Sequence, residues 1–268
     1  MGSPLRALVR SALFAGWTVL LIPLQLAALV FDRRAARRIP LYYHRVCCRL
    51  LGVRVLVRGE ISRETPTLFA CNHSSYLDIT VLSSVVEGSF VAKVEIAGWP
   101  FFGLLAKLQR SVFIERRSQN AARHRDEVAE RLAAGDNLFL FPEGTSTDGN
   151  RVRPFRSALF AVAGREVGGR ALCVQPVSIA YTRLDGIPLG RALRPLYTWY
   201  GEMDLLGHMW SMLGLGRLTV ELEFHAPVHL PEFDSRKALA RHCYERVAAG
   251  VAAANSGRAP PARLPRAA

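Results

Sequence analysis

Residues 67–78 read Thr67-Leu68-Phe69-Ala70-Cys71-Asn72-His73-Ser74-Ser75-Tyr76-Leu77-Asp78. The apolar run predicts a strand over 66–71, and the stretch after the Asn-His-Ser-Ser turn predicts a helix over 76–87. Further β-rich runs lie at 53–58, 89–93, 111–115, 137–142, 172–181 and 218–228. Helical stretches lie at 118–134, where Ser118 can cap and Gly135 can close, and at 154–168. This alternation predicts an α/β domain with a mixed, largely parallel sheet flanked by helices. Residues 201–217 are apolar but short, fit for a surface helix or the wall of a hydrophobic site. A last helix is expected over 235–253, capped by Asp234 or Ser235.

Residues 11–31 contain no charge, and 21 residues are enough to cross a hydrocarbon core as a helix. The competing reading, a buried core helix, suits poorly a segment this long with no polar face. Pro23 leaves room for a kinked insertion into one leaflet. Residues 39–52 form a shorter apolar stretch, interrupted by His44, Arg45 and Arg49, that as a helix would be amphipathic. Arg33, Arg34, Arg37 and Arg38 follow the apolar segment and outnumber Arg6 and Arg10 before it. The positive-inside tendency then puts the remaining chain on the cytoplasmic face of the cell membrane. The expected organisation is a membrane-anchoring part at 1–52, an α/β domain at 53–254 and a disordered basic tail at 255–268.

Composition narrows the class. The chain has 268 residues, half of them hydrophobic, which excludes a disordered, collagenous or disulfide-scaffold protein. The net charge of +13 calls for an anionic partner, nucleic acid or an anionic lipid surface. Of the basic residues 32 are Arg, and coding bias is a sufficient reason for that excess. Five cysteines, an odd number with no zinc-ligand spacing, argue for a reducing compartment and against a metal site.

Four short motifs carry chemistry. In the first, His73 sits at the carboxyl end of a strand, where open α/β sheets bind ligands. Asp78 can reach back to its imidazole, fix the tautomer and leave the other ring nitrogen to take a proton. The same residues also read as a helix start, with Asp78 complementing the helix dipole. The second is Phe141-Pro142-Glu143-Gly144-Thr145-Ser146-Thr147, a loop able to hold an anion on its backbone N–H groups, or a plain polar turn. The third, Phe113-Ile114-Glu115-Arg116-Arg117, ends a strand in paired arginines that can grip phosphate or carboxylate or simply be solvated. The fourth, Val174-Gln175-Pro176-Val177-Ser178, is a β run whose proline implies an edge strand or a bulge.

Taken together and in this order, the motifs resemble the glycerolipid acyltransferase family, specifically the bacterial lysophosphatidate (1-acyl-sn-glycerol-3-phosphate) acyltransferases. The family blocks are Asn-His-x4-Asp, Phe-Ile-x-Arg, Phe-Pro-Glu-Gly-Thr and a proline-containing apolar strand, and the resemblance covers about residues 40–230. It implies acyl transfer from acyl-CoA or acyl-carrier protein to a lysophospholipid hydroxyl, giving phosphatidate. No cofactor, metal or acyl-enzyme is required, because a thioester is already activated. His73 is implied as general base and Asp78 as its orienting carboxylate. Glu143, Gly144 and Thr145 are implied to shape the acceptor site, Arg116 to bind its phosphate and Lys93 to stabilise the oxyanion.

One position departs from the pattern. Many lysophosphatidate acyltransferases carry Arg after the Thr of the third block, where this chain has Ser146, with Arg151, Arg153 and Arg156 following. A relative in the same family acylates lyso-ornithine lipid, an amino-acid lipid without phosphate, and is the alternative. Three other classes are set aside. A hydrolase would need Cys71, Ser74 or Ser75 as nucleophile beside His73, without a Gly-x-Ser-x-Gly elbow. Nucleic-acid binding rests on charge alone. A non-catalytic membrane scaffold leaves His73 without a task.

Overall fold

The computed structural model describes residues 2–114 and 121–265. It opens with two helices, α1 (Pro4–Phe31) and α2 (Arg33–Leu51), hinged at Asp32, whose carboxylate accepts the N–H groups of Arg34 and Ala35. Gly52, with a left-handed φ of 73°, ends α2 and turns the chain into β1 (Val53–Gly59). Then come β2 (Thr67–Cys71), α3 (Leu77–Ser83), β3 (Ser89–Lys93), α4 (Phe102–Leu108), β4 (Val112–Ile114), α5 (Ala121–Ala133) and β5 (Leu138–Leu140). A small ribbon of β6 (Glu166–Val167) and β7 (Arg170–Ala171) leads to the long β8 (Cys173–Leu184) and β9 (Ile187–Pro188). The chain closes with α6 (Leu205–Leu213), β10 (Leu218–Phe224), β11 (Val228–His229) and α7 (Arg236–Asn255).

Among the described residues the main sheet runs β1-β10-β8-β2-β5-β3-β4, with β9 and β11 both paired to β8. Strands β8, β2, β5, β3 and β4 are mutually parallel, and β10 runs antiparallel to β8. The α/β expectation therefore holds. Strand β2 is buried throughout because helices cover both faces. Phe69 and Cys71 join one core with Val81, Leu82 and Ile179, and Leu68 and Ala70 join the other with Leu138, Phe160 and Val247.

Three local expectations change. Residues 154–168 form a 3₁₀ stretch at Ser157–Gly164, not an α-helix. Its entry is tied down by the Arg156 N–H on the Pro142 carbonyl, and its exit runs into a ribbon turned by Gly168 and Gly169, both at positive φ. Pro176 lies in β8 between β2 and β10, not on an edge. Its carbonyl accepts the His225 N–H, so its own nitrogen faces the gap where β8 passes from β10 to β11 and no ladder donor is needed. The tail does not run free over 256–265. Arg263 exchanges both backbone hydrogen bonds with Val57, and the Arg58 guanidinium holds the Pro260 carbonyl at 3.0 Å. Ser235, not Asp234, caps α7. Ser118 lies outside the described residues.

Helix α1 is a candidate membrane anchor by length and hydropathy, yet it lies along the domain. Thr18 and Tyr43 share a hydroxyl hydrogen bond, and the Gln25 amide donates to Ala36 of α2 and Leu108 of α4. Near its start, Arg10 donates to the carbonyls of Leu213, the last residue of α6, and of Leu215 just beyond it. The opposite face exposes Leu5, Leu13, Leu20, Leu24 and Phe31. Arg37, read from sequence as a membrane-flanking charge, instead meets the buried Asp136 at 2.6 Å. Arg110 and Arg131 approach the same carboxylate, so the hairpin is locked onto the sheet.

Gly59 at the end of β1 has φ 71°, and a Cβ there would overlap the Phe224 carbonyl oxygen. Gly59→Ala is expected to lose about 1–2 kcal/mol from the left-handed backbone and more from the overlap. A clear drop in melting temperature in detergent checks it.

Candidate active site

Parallel pairing gathers the motifs. The first follows β2 and the second follows β5, parallel neighbours, so both emerge at the same carboxyl edge of the sheet; the third leaves β4 beyond the described residues. Just past β2 the buried Asn72 side chain takes over from the backbone ladder. Its amide donates to the Ile179 carbonyl at 3.0 Å and accepts the Ile179 N–H at 2.7 Å. The turn bearing His73 is thereby fixed to β8.

Asp78, in the first turn of α3, is fully buried. Its Oδ2 accepts from His73 Nδ1 at 2.8 Å and from the Ser74 and Ser75 N–H groups at 2.7 and 2.9 Å. Its Oδ1 accepts the Tyr181 hydroxyl at 2.6 Å. The orienting-carboxylate and helix-start readings are thus both realised by one side chain. With His73 Nδ1–H donating to Asp78, the lone pair sits on Nε2, which meets no hydrogen-bond partner among the described residues. The imidazole is about a quarter exposed, and its ring stacks on Phe141 with centroids 4.2 Å apart and planes 19° apart.

The second motif supports this turn from behind. Glu143 is buried and does not face outward. Its two oxygens accept the N–H groups of His73 and Arg153, each at 2.7 Å. Burial pushes the Glu143 carboxyl up to about 7, against the downward pull of those donors. Gly144 has φ 72°, and a Cβ there would come within 3.2 Å of the Arg156 guanidinium, so that cation lies over the loop. Thr145 is half-buried beside it. The hydroxyl residue that meets the His73 peptide is Thr147, through its N–H at 3.0 Å and its Oγ1 at 3.3 Å.

Lys93 ends β3 on the same edge with its side chain exposed. Arg116 lies outside the described residues. Cys71 is buried, and burial, with the charge of Asp78 adding, pushes its thiol well above the usual range. The Ser75 hydroxyl donates to the Tyr197 carbonyl, and the Ser74 hydroxyl is buried without a hydrogen-bond partner among the described residues. None of these three hydroxyl or thiol groups bonds to the His73 ring. The arrangement offers a proton acceptor without a poised protein nucleophile. Tyr181 escaped the sequence reading, and Thr147 was read only as part of the second loop, without its contact to the His73 peptide. The signal for Tyr181 was present: a polar-tipped residue ending an apolar central strand needs a buried partner.

Comparison with known proteins identifies the family. Residues 54–180 match the family model described as Acyltransferase. Lyso-ornithine lipid O-acyltransferase of Brucella abortus is 45% identical over 89% of this chain and 91% of its own. The 1-acyl-sn-glycerol-3-phosphate acyltransferase of Neisseria gonorrhoeae is 32% identical over 72% and 74%. The crystal structure of the 1-acyl-sn-glycerophosphate acyltransferase PlsC from Thermotoga maritima superposes with a TM-score of 0.67, covering 92% and 95% of the two chains at 23% identity, and shares the fold. The chain belongs to the glycerolipid acyltransferase family. Within that class it is an enzyme of lipid metabolism that transfers acyl groups to lysolipids.

A raised carboxyl favours the fold most when protonated. The Glu143 contribution is fully present below about pH 4.5 and is lost as pH rises through about 7. Melting curves of wild type and Glu143→Gln should therefore converge as pH rises, the wild type losing ground relative to the variant between about pH 5 and 7.5. At every pH the variant melts lower, because an amide cannot accept both N–H groups without setting its own N–H₂ against one of them.

Proposed function

We propose that this enzyme is a lyso-ornithine lipid O-acyltransferase, transferring an acyl chain from acyl-CoA or acyl-carrier protein to the free hydroxyl of an amino-acid lysolipid. The carrying observation is the 45% identity over nine-tenths of the chain to a protein of that name, against 32% for the phosphatidate-forming relative. Position 146 supports the same choice. Ser146 stands where many phosphatidate-forming relatives have arginine, and the cation lying over Gly144 is Arg156 from the following loop. One guanidinium suits the single carboxylate of an amino-acid headgroup. Lysophosphatidate is the second reading, favoured by Arg116 and the arginines at 151–156.

In this reading His73 Nε2 takes the acceptor proton as the hydroxyl oxygen attacks the thioester carbonyl. Asp78 stabilises the imidazolium, and Phe141 shields and flanks it. Lys93, at the same edge, faces the developing oxyanion. Collapse of the tetrahedral intermediate breaks the carbon–sulfur bond, and the departing thiolate takes the proton back from His73. Glu143 holds the His73 turn and the arginine loop in one geometry, so its role is positioning. No cofactor is needed.

The anchor works in the membrane plane. A helix bound along its length to α2, α4 and the loop after α6 cannot cross a bilayer without carrying the domain with it. Its exposed leucine face instead enters one leaflet, on the cytoplasmic side of the inner membrane, where the lysolipid resides. Arg33, Arg34 and Arg38 add attraction to anionic headgroups at about 1 kcal/mol each when well placed.

The test uses purified full-length protein in detergent with labelled acyl donor and two acceptors, lyso-ornithine lipid and lysophosphatidate. Transfer to the first, reduced about 10²–10⁴-fold in His73→Ala, is expected. Transfer to lysophosphatidate alone would overturn the acceptor assignment. In the same assay Tyr181→Phe should lower kcat about tenfold with KM nearly unchanged, since removing a donor from a buried carboxylate costs about 1–3 kcal/mol and touches no substrate. An unchanged kcat would remove Tyr181 from the site.

A further inference from the structure

A second group of chemistry-bearing side chains lies at the opposite end of the sheet. Cys173 opens β8, at the amino end of the parallel strands, and His229 closes β11. The register sets Cys173 directly across from His229 and beside Thr67 of β2. Directly paired residues on neighbouring strands project from the same face. Glu64, in the segment leading into β2, completes the group. One donor atom from each of Glu64, Cys173 and His229 lies within 4.8 Å of the other two.

We propose that Glu64, Cys173 and His229 form a binding site for a zinc-class divalent transition-metal ion that fastens this end of the sheet. A thiolate, an imidazole and a carboxylate are the donor set of zinc and its neighbours, not of magnesium or calcium. Two anionic ligands and a neutral imidazole balance a divalent cation. The outer coordination is already built. His229 Nδ1 lies 3.0 Å from Glu232 Oε1, and the same oxygen accepts the His229 backbone N–H at 2.7 Å. With Nδ1 donating to Glu232, His229 presents Nε2 to the metal and to Glu64, whose Oε2 is 3.1 Å away. That is the carboxylate–histidine–metal arrangement that orients ligating imidazoles. The Ser62 hydroxyl, 3.4 Å from the Cys173 sulfur, donates to a thiolate there.

Cys173 is buried, whereas the Glu64 and His229 side chains are 49% and 30% exposed, so the site opens outward and a water molecule fills the fourth position. Binding releases the Cys173 proton, and at low pH the second His229 proton, to solvent. The ion joins three separate pieces, the segment before β2, the start of β8 and β11. It stands a full strand length from His73, so it stabilises the fold and takes no part in acyl transfer.

The test is a cobalt(II) titration of the full-length, detergent-solubilised protein after chelation. One equivalent should bring up a near-ultraviolet thiolate-to-cobalt absorption that zinc displaces, and zinc should raise the melting temperature. Cys173→Ser should abolish the band. Glu64→Gln, at an exposed position that leaves the core intact, should weaken cobalt binding at least tenfold, and Glu232→Gln by about 10–100-fold. Absence of the band, or a band that survives Cys173→Ser or is undiminished in Glu64→Gln, would overturn the site and leave Glu64–His229–Glu232 as an ion-pair chain only.

Discussion

A carboxylate taken wholly out of water is tolerated only when its oxygens are filled. Asp78 meets that condition with four donors from three directions: the His73 ring, the Ser74 and Ser75 peptides and the Tyr181 hydroxyl. Each bond constrains a different part of the fold. The peptides fix the turn after β2, Tyr181 ties the turn to β8, and the imidazole is left with one orientation. The orientation of Nε2 follows from the satisfaction of a buried charge. Glu143 repeats the device one strand away, joining the His73 turn to the loop at 153 through two backbone N–H groups. The site is stiff because both acids would be costly to leave unpaired.

A third buried acid joins the helical hairpin to the domain. Asp136 gathers Arg37 of α2, Arg110 after α4 and Arg131 of α5. The helical hairpin thereby becomes part of the domain and no longer a tether on a flexible joint. A lysolipid does not leave the bilayer readily, so a catalytic edge must be held at a fixed height above it. Rigid attachment of the leucine-rich helix fixes its exposed apolar face relative to the sheet edge that carries His73. The Arg10 clasp on the carbonyls at the end of α6 does the same at the other end of the helix.

Much was legible in the sequence because it depends on short-range pattern. Unbroken apolar runs marked β2, β5 and β8, and strand–turn–helix order marked the α/β class. The motifs placed at the ends of β2 and β5 had to converge once those strands ran parallel. Those parts needed only periodicity, turn chemistry and the resemblance carried by residues 72–78 and 141–147. The 3₁₀ stretch at Ser157–Gly164 was misread as a helix, since composition there favours one and only the tether to Pro142 forbids it. The basic tail read as disordered for the same reason, its partner Val57 lying two hundred residues away in the chain.

The sequence by itself therefore determined the class of fold, the long apolar first helix, the pairing of His73 with Asp78 and the kind of reaction. Only the tertiary structure decided the rest. It turned Glu143 inward as a brace, brought Tyr181 onto Asp78, and drew Arg37 from the membrane-flanking charges into a buried ion pair. It also set Glu64, Cys173 and His229 side by side, although no ligand spacing joins them along the chain. The physical reason is common to all of these. Local pattern is fixed by neighbours within a turn or a strand, whereas the partner of a buried polar group is chosen by strand register and helix docking. Those contacts join residues far apart in sequence, and no periodicity encodes them.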